Sequence, residues 1–80
     1  MLARISDERT LDHPGRCVLY NYIREHPGEH YGGIGRATGI QKGTLAYHLR
    51  VMERANLVRV ERRNFRKLYF AVGGVSVNVL

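Results

Sequence analysis

Apolar residues recur along this chain with two different periods, and the change of period divides it into a helical region and a hairpin region. Val18, Leu19, Tyr22 and Ile23 stand at i, i+1, i+4 and i+5, the stripe of one buried helical face. Pro14 suits a first helical turn, Asp12 or His13 can cap it, and Pro27 with Gly28 stops it, so a helix over about residues 14–26 is predicted. After a loop at Glu29 and His30, Tyr31, Ile34, Ala37 and Thr38 share a second helical face, ended by Gly39 in the left-handed conformation. That helix contains Gly32, Gly33 and Gly35, each costing up to about 1 kcal/mol relative to alanine. Packing rather than propensity must therefore hold it. Leu45, Leu49 and Met52 mark a third helix over about residues 41–55, with Asn56 as its left-handed terminator. Ile40 and Gln41 lead at once into the third helix, so only a few residues separate it from the second, which forces the pair to cross steeply.

Beyond Asn56 the period falls to two. Val58 and Val60 alternate with Arg59 and Glu61, a basic tip follows from Arg62 to Lys67, and Leu68, Phe70 and Val72 alternate again. This is a β-hairpin with a charged loop, and the class is α+β, three helices followed by a hairpin. Residues 1–80 are expected to form one domain with a core over about 14–72 and an apolar tail over 73–80. In the tail, Val75, Val77 and Val79 alternate with Ser76 and Asn78 behind a hinge at Gly73 and Gly74, a pattern fit for an added strand or a dimer contact. Leu2, Ile5 and Leu11 offer further dimer surface.

Charge changes the picture more than size does. A net charge of +6 and a pI near 10.1 favour a polyanionic partner, nucleic acid or an anionic membrane. No apolar run approaches the roughly 20 residues of a membrane span, and the segment MLARISDERT lacks the apolar centre of a signal peptide, so no membrane partner and a reducing cytoplasm are expected. The single cysteine, Cys17, allows neither an internal disulfide nor a cysteine-rich zinc site. His13, His26, His30 and His48 are scattered, and Pro27 and Gly28 break the helical spacing that His26 and His30 would need to share a metal. His48 falls beside the core stripe and reads as a hydrogen-bonded packing residue. No Ser-His-Asp or Cys-His constellation, carboxylate pair or phosphate loop is visible, so neither an enzyme nor a cofactor is expected.

The stretch GTLAYHLRVMERANLV carries a second face that core packing does not use. With Leu45, Leu49 and Met52 turned inward at about 100° per residue, Gly43, Tyr47, Arg50 and Arg54 project the other way, flanked by Thr44 and Ala46. Small residues in the N-terminal half permit close backbone approach to a DNA major groove, and polar ones can reach base edges or phosphate. Lys42 and Thr44 stand at the helix entrance, where N–H groups and the dipole favour phosphate. Arg50 can read guanine bidentately, and Tyr47 can meet sugar or phosphate. Arg62, Arg63, Arg66 and Lys67 surround the hairpin tip and can reach phosphates or the minor groove, although charged tips also keep edge strands soluble. Phe65 in that tip can fold back on the hairpin, pack against a partner or touch sugar, and packing is the favoured expectation.

Taken together, IGRATGI, the turn at Gly39, the YHL triplet from Tyr47 to Leu49, the Asn56-Leu57-Val58 exit and the hairpin ending KLYF resemble a winged helix-turn-helix domain over about Pro14 to Val72. The recognition helix is similar to those of ArsR-like and MarR-like regulators and related archaeal transcription regulators. Departures are Gly35 where such proteins usually carry alanine, Gln41 where a serine or threonine cap is usual, and Asn56 where glycine is commonest. Gln41 caps poorly, so the helix start is loose or Gln41 is reserved for a ligand. The paired cysteines of ArsR-like metal sensors are absent. The resemblance implies a sequence-specific regulator binding double-stranded DNA, with a homodimer expected because short half-sites discriminate poorly in a monomer. The competing expectation is a winged-helix interaction module whose third helix packs on a protein. An exposed apolar patch in place of a cationic surface would distinguish it. RNA binding is weaker, with no aromatic platform evident on a sheet.

Overall fold

The computed structural model describes residues 7–72; the tail strand, its Gly73–Gly74 hinge and the Leu2 and Ile5 contacts expected above lie outside them. A short 3-10 helix, Glu8–Asp12, leads into α1 (Pro14–Glu25), β1 (Glu29–His30), α2 (Tyr31–Thr38), α3 (Lys42–Arg54), β2 (Val58–Arg63) and β3 (Arg66–Ala71). The strands form one antiparallel sheet in the order β1-β3-β2, so the α+β class with a hairpin wing is present. Pro14 opens α1, and the Nδ1 of His13 accepts a hydrogen bond from the Gly15 N–H at 3.0 Å. Gly39 ends α2 at φ 72°, and no neighbouring atom crowds it, so the backbone angle rather than lack of room calls for glycine there. Asn56 follows α3 at φ 62°.

The core is Leu19, Tyr20 and Ile23 of α1, Ile34 of α2, Leu45, Leu49 and Met52 of α3, and Leu57, Val58 and Tyr69 from the sheet side. The structure departs from the periodic reading in α1, α2 and β3. Val18 is 54% exposed and Tyr20 takes its place in the core, because α1 packs against α2, α3 and β3 together and its buried arc turns toward the sheet. Ala37 is exposed, and α2 buries Gly33 with Ile34 instead. A Cβ on Gly33 would overlap the carboxylate of Glu29, whose Oε2 accepts from the Tyr22 hydroxyl at 3.3 Å. In β3 the inward residues are Tyr69 and Ala71, not Leu68 and Phe70, and Val72 lies past the end of the strand. The reason is register: Val58 lies opposite Ala71 and Val60 opposite Tyr69, so these four share the core face. Phe70 falls on the outer face beneath the Arg59 guanidinium, 4.5 Å from its ring centroid.

Glu29 and His30, read from sequence as loop, pair with Tyr69 and Leu68. A two-residue strand carries no period and exists only through its partner. The 3-10 helix is likewise a tertiary feature: the Asp7 N–H bonds the Ala55 carbonyl at 3.0 Å, and Leu11, expected on a dimer surface, packs half-buried against the core of its own chain. At the wing tip Asn64 and Phe65 both adopt positive φ, 51° and 66°, the two-residue turn whose twist matches a hairpin. A non-glycine residue in that region costs of the order of 1 kcal/mol.

His48 is buried, 5% exposed, between α3 and α1. Its Nδ1 lies 3.4 Å from Nη1 of Arg16, whose Nε donates to the Thr10 carbonyl at 2.9 Å, and its ring centroid is 4.6 Å from that of His13. Burial first, then the neighbouring His13 and Arg16, hold its pKa below the ordinary 6.5. Below about pH 6.5 the unfolded chain therefore takes a proton that the folded chain resists, and stability falls as pH drops toward the folded pKa. His48→Gln should lower stability by about 1 kcal/mol above that pH and flatten the acid-side loss. Denaturant midpoints on both sides of pH 6.5 check this. An unchanged acid slope would clear His48 as its source, and a bound transition metal lost with the variant would overturn the packing role.

Candidate nucleic-acid interface

Burial of Leu45, His48, Leu49 and Met52 fixes the rotation of α3 about its axis. Gly43, Tyr47, Arg50 and Arg54 consequently face solvent, Tyr47 at 59% exposure, with Gln41, Lys42 and Thr44 exposed at the helix start and Ala46 half-buried beside them. Gln41 occupies the N-cap in extended conformation and its side chain makes no capping hydrogen bond. The start of α3 is held from elsewhere: the Tyr31 hydroxyl, at the beginning of α2, donates to the Lys42 carbonyl at 2.7 Å. With no capping bond from Gln41, the first N–H groups of α3 present the kind of helix start that favours an anion.

Between α3 and the wing runs a groove whose walls include Ala46, Arg50 and Glu53 on one side and Arg66, Lys67 and Tyr69 on the other. Sheet register sets the two faces of the wing but does not by itself decide which cations line the groove. Arg62 pairs with Lys67 on the face shared by Val60 and Tyr69, whereas Arg63 pairs with Arg66 on the opposite face. Arg66 nevertheless lines the groove together with Lys67. Arg63 stays on the far side, its Nη2 3.3 Å from Oε1 of Glu61, and Arg59 bonds the same carboxylate through Oε2. The hydrogen bond from Arg59 is the main cause that draws the Glu61 pKa down, with Arg63 adding to it. In the wing-side wall, burial pushes the pKa of the Tyr69 hydroxyl up, and the nearby Glu53 carboxylate adds to the shift. Phe65, expected to pack, stands fully in solvent at the groove's rim. The structure thus brings Ala46, Arg50, Arg66 and Lys67 together, sets Gly43, Tyr47 and Arg54 on the adjoining outer face of α3, and keeps Arg63 apart.

Four residues at this surface escaped the sequence reading. His30 and Tyr31 border the groove because β1 pairs with β3, which no local pattern signals. Glu53 stands one turn after Arg50 on the wing-facing side of α3, and its i+3 spacing was the available cue. Arg36 on α2 lines a second hollow with Tyr31, Gly32, Ile40 and Lys42, and a basic residue on the exposed side of the first motif helix was the signal. Among the described residues no group of three or more His, Cys, Asp or Glu is placed to hold a metal, and His26 stacks on Tyr22 at 4.2 Å. No helix among them is long and apolar enough to cross a membrane.

Residues 14–76 match the profile of a protein family described as an N-terminal HTH (helix-turn-helix) domain. The chain belongs to this N-terminal HTH family. Within it, α2 and α3 are the two motif helices and Gly39 makes the turn between them. Over 73 residues the domain is 33% identical to an uncharacterized HTH-type transcriptional regulator of Methanocaldococcus jannaschii, covering 88% of this chain and 19% of the relative. The chain thus spans about a fifth of the length of that curated protein. Among solved structures it is similar to a predicted DNA-binding transcriptional regulator from E. coli, with a TM-score of 0.78 and 25% identity over 84% of this chain and 70% of the other. The family match is coarser than the ArsR-like or MarR-like resemblance of the recognition helix.

Proposed function

We propose that this HTH domain binds double-stranded DNA with sequence preference, as the DNA-reading module of a transcription regulator and without catalytic activity. The observation that carries the reading is the shared groove: Arg50 of the recognition helix and Arg66 and Lys67 of the wing line one concavity, so a single polyanionic ligand can engage both elements. In this arrangement α3 enters the major groove with Gly43, Thr44 and Ala46 allowing close approach. Arg50 and Gln41 reach toward base edges, Tyr47 meets sugar or phosphate, and Lys42 and Arg54 meet phosphate. Arg62, Arg63, Arg66 and Lys67 of the wing lie on the neighbouring backbone or minor groove. The names of the two relatives agree with this role. A protein-docking helix would present an apolar patch, but the large exposed apolar residues among those described, Val18, Tyr47 and Phe65, stand on three separate elements. A homodimer in the cytoplasm completes the proposal, since two half-sites supply the discrimination that one lacks.

Selection of bound duplexes from a random pool, with particle mass measured by light scattering in the same buffer, tests it. An enriched half-site repeated at about one helical turn and a dimeric mass on DNA are expected. A pool that stays random while a protein partner binds through α3 would replace this reading with the interaction module.

A further inference from the structure

We propose that Phe65 is a wedge that enters the minor groove of bound duplex DNA and unstacks a base-pair step, which makes the domain select sites by their deformability as well as by base contacts. This rests on the duplex-binding reading above. Phe65 is a poor choice for the fold. It occupies the second position of a two-residue hairpin turn at φ 66°, a place where glycine is favoured and a Cβ is strained, after Asn64 at φ 51°. Its ring gains nothing in return, being fully exposed, and the cation–ring contacts among the described residues fall on Tyr20 and Phe70 instead. A strained backbone that displays an unpacked aromatic ring points to use by a ligand.

The surroundings say which ligand. Arg62, Arg63, Arg66 and Lys67 neighbour Phe65 along the chain and are all exposed, with Arg63 paired to Glu61. An apolar protein pocket would have to desolvate those cations, whereas a polyanion with apolar faces inside satisfies both features at once. Phe65 also stands at the rim of the groove that holds Arg50, on the side from which α3 is presented. A duplex seated on α3 therefore meets the wing tip about its adjacent minor groove, where an apolar side chain can separate stacked base pairs and bend the helix. Such insertion favours flexible pyrimidine–purine steps over stiff A-tracts, a preference read without hydrogen bonds to bases.

Stability and binding should move in opposite directions when the ring is removed. In the full chain, Phe65→Gly is expected to raise the Tm by about 4 °C. It should also weaken binding to a pool-selected duplex by about tenfold. With 2-aminopurine placed at the step facing the wing, wild-type protein and Phe65→Leu should raise its fluorescence on binding, and Phe65→Gly should not. Affinity and fluorescence unchanged in Phe65→Gly would overturn the wedge while leaving duplex binding intact. Wild-type protein that binds no duplex would overturn the wedge together with the reading on which it rests. A lower Tm for Phe65→Gly would show that the ring serves the fold and would equally overturn the proposal.

Discussion

Replacement of Met52 by alanine should leave the domain close to unfolded at body temperature. Met52 is fully buried in the cluster of Leu19, Ile23, Ile34, Leu45 and Leu57, and it closes the inward stripe by which α3 is seated. Truncating such a side chain to alanine costs about 2–5 kcal/mol, the transfer term plus the cavity that neighbours fail to fill. A chain of this length has roughly 4–12 kcal/mol in total, so one substitution removes a large share of it. Met52→Leu keeps the volume and should cost less than about 1.5 kcal/mol. Urea unfolding of the two variants checks the pair. A loss below about 1 kcal/mol for alanine would show that α3 is held chiefly by Leu45 and Leu49, because a buried anchor cannot be removed so lightly. The same experiment bears on function, since Gly43, Tyr47, Arg50 and Arg54 keep their orientation only while the opposite side of the helix stays seated.

The helices were legible in the sequence because each has a one-sided apolar stripe and a residue that ends it, with Gly39 and Asn56 both found at positive φ. What failed was the choice of side wherever a third element intervenes. Val18 and Tyr20 flank Leu19 and fit a 3.6 period almost equally well, and only the presence of the sheet selects Tyr20. The strand error has a simpler cause. Alternation in KLYFAV suits either phase, and the phase is set across the hairpin: a two-residue turn at Asn64-Phe65 places Arg63 opposite Arg66 and hence Val60 opposite Tyr69. A phenylalanine at that turn hides the signal, since asparagine followed by glycine would have announced it. The exposed cations of α3 and the wing followed from pattern alone, but their grouping did not. That Lys67 reaches the groove while Arg63 is drawn to Glu61 depends on register, and that Tyr31 secures the start of α3 depends on how α2 lies against it.

Loss of Arg50 and loss of the wing cations should have different signatures on DNA. Arg50 extends from α3 at the border between its outer face and the groove, within reach of a base edge if the helix lies in the major groove. A bidentate contact to guanine carries about 1–3 kcal/mol of discrimination, so Arg50→Ala should weaken the selected site by that amount, relax choice at one base position and affect random duplex little. Lys67→Ala and Arg66→Ala should instead weaken all sequences alike and reduce the salt slope by about one unit for each lost phosphate contact. Arg63 shares the Glu61 carboxylate with Arg59, so its removal should change the slope by less than either. Titrations of each variant on selected and random duplex at several salt concentrations separate these effects. The informative reversal would be Arg50→Ala with a reduced salt slope and intact sequence preference. Arg50 would then join Arg66 and Lys67 as one wall of a phosphate clamp, and base reading would pass to Gln41, Thr44 and Tyr47 on the first turns of α3.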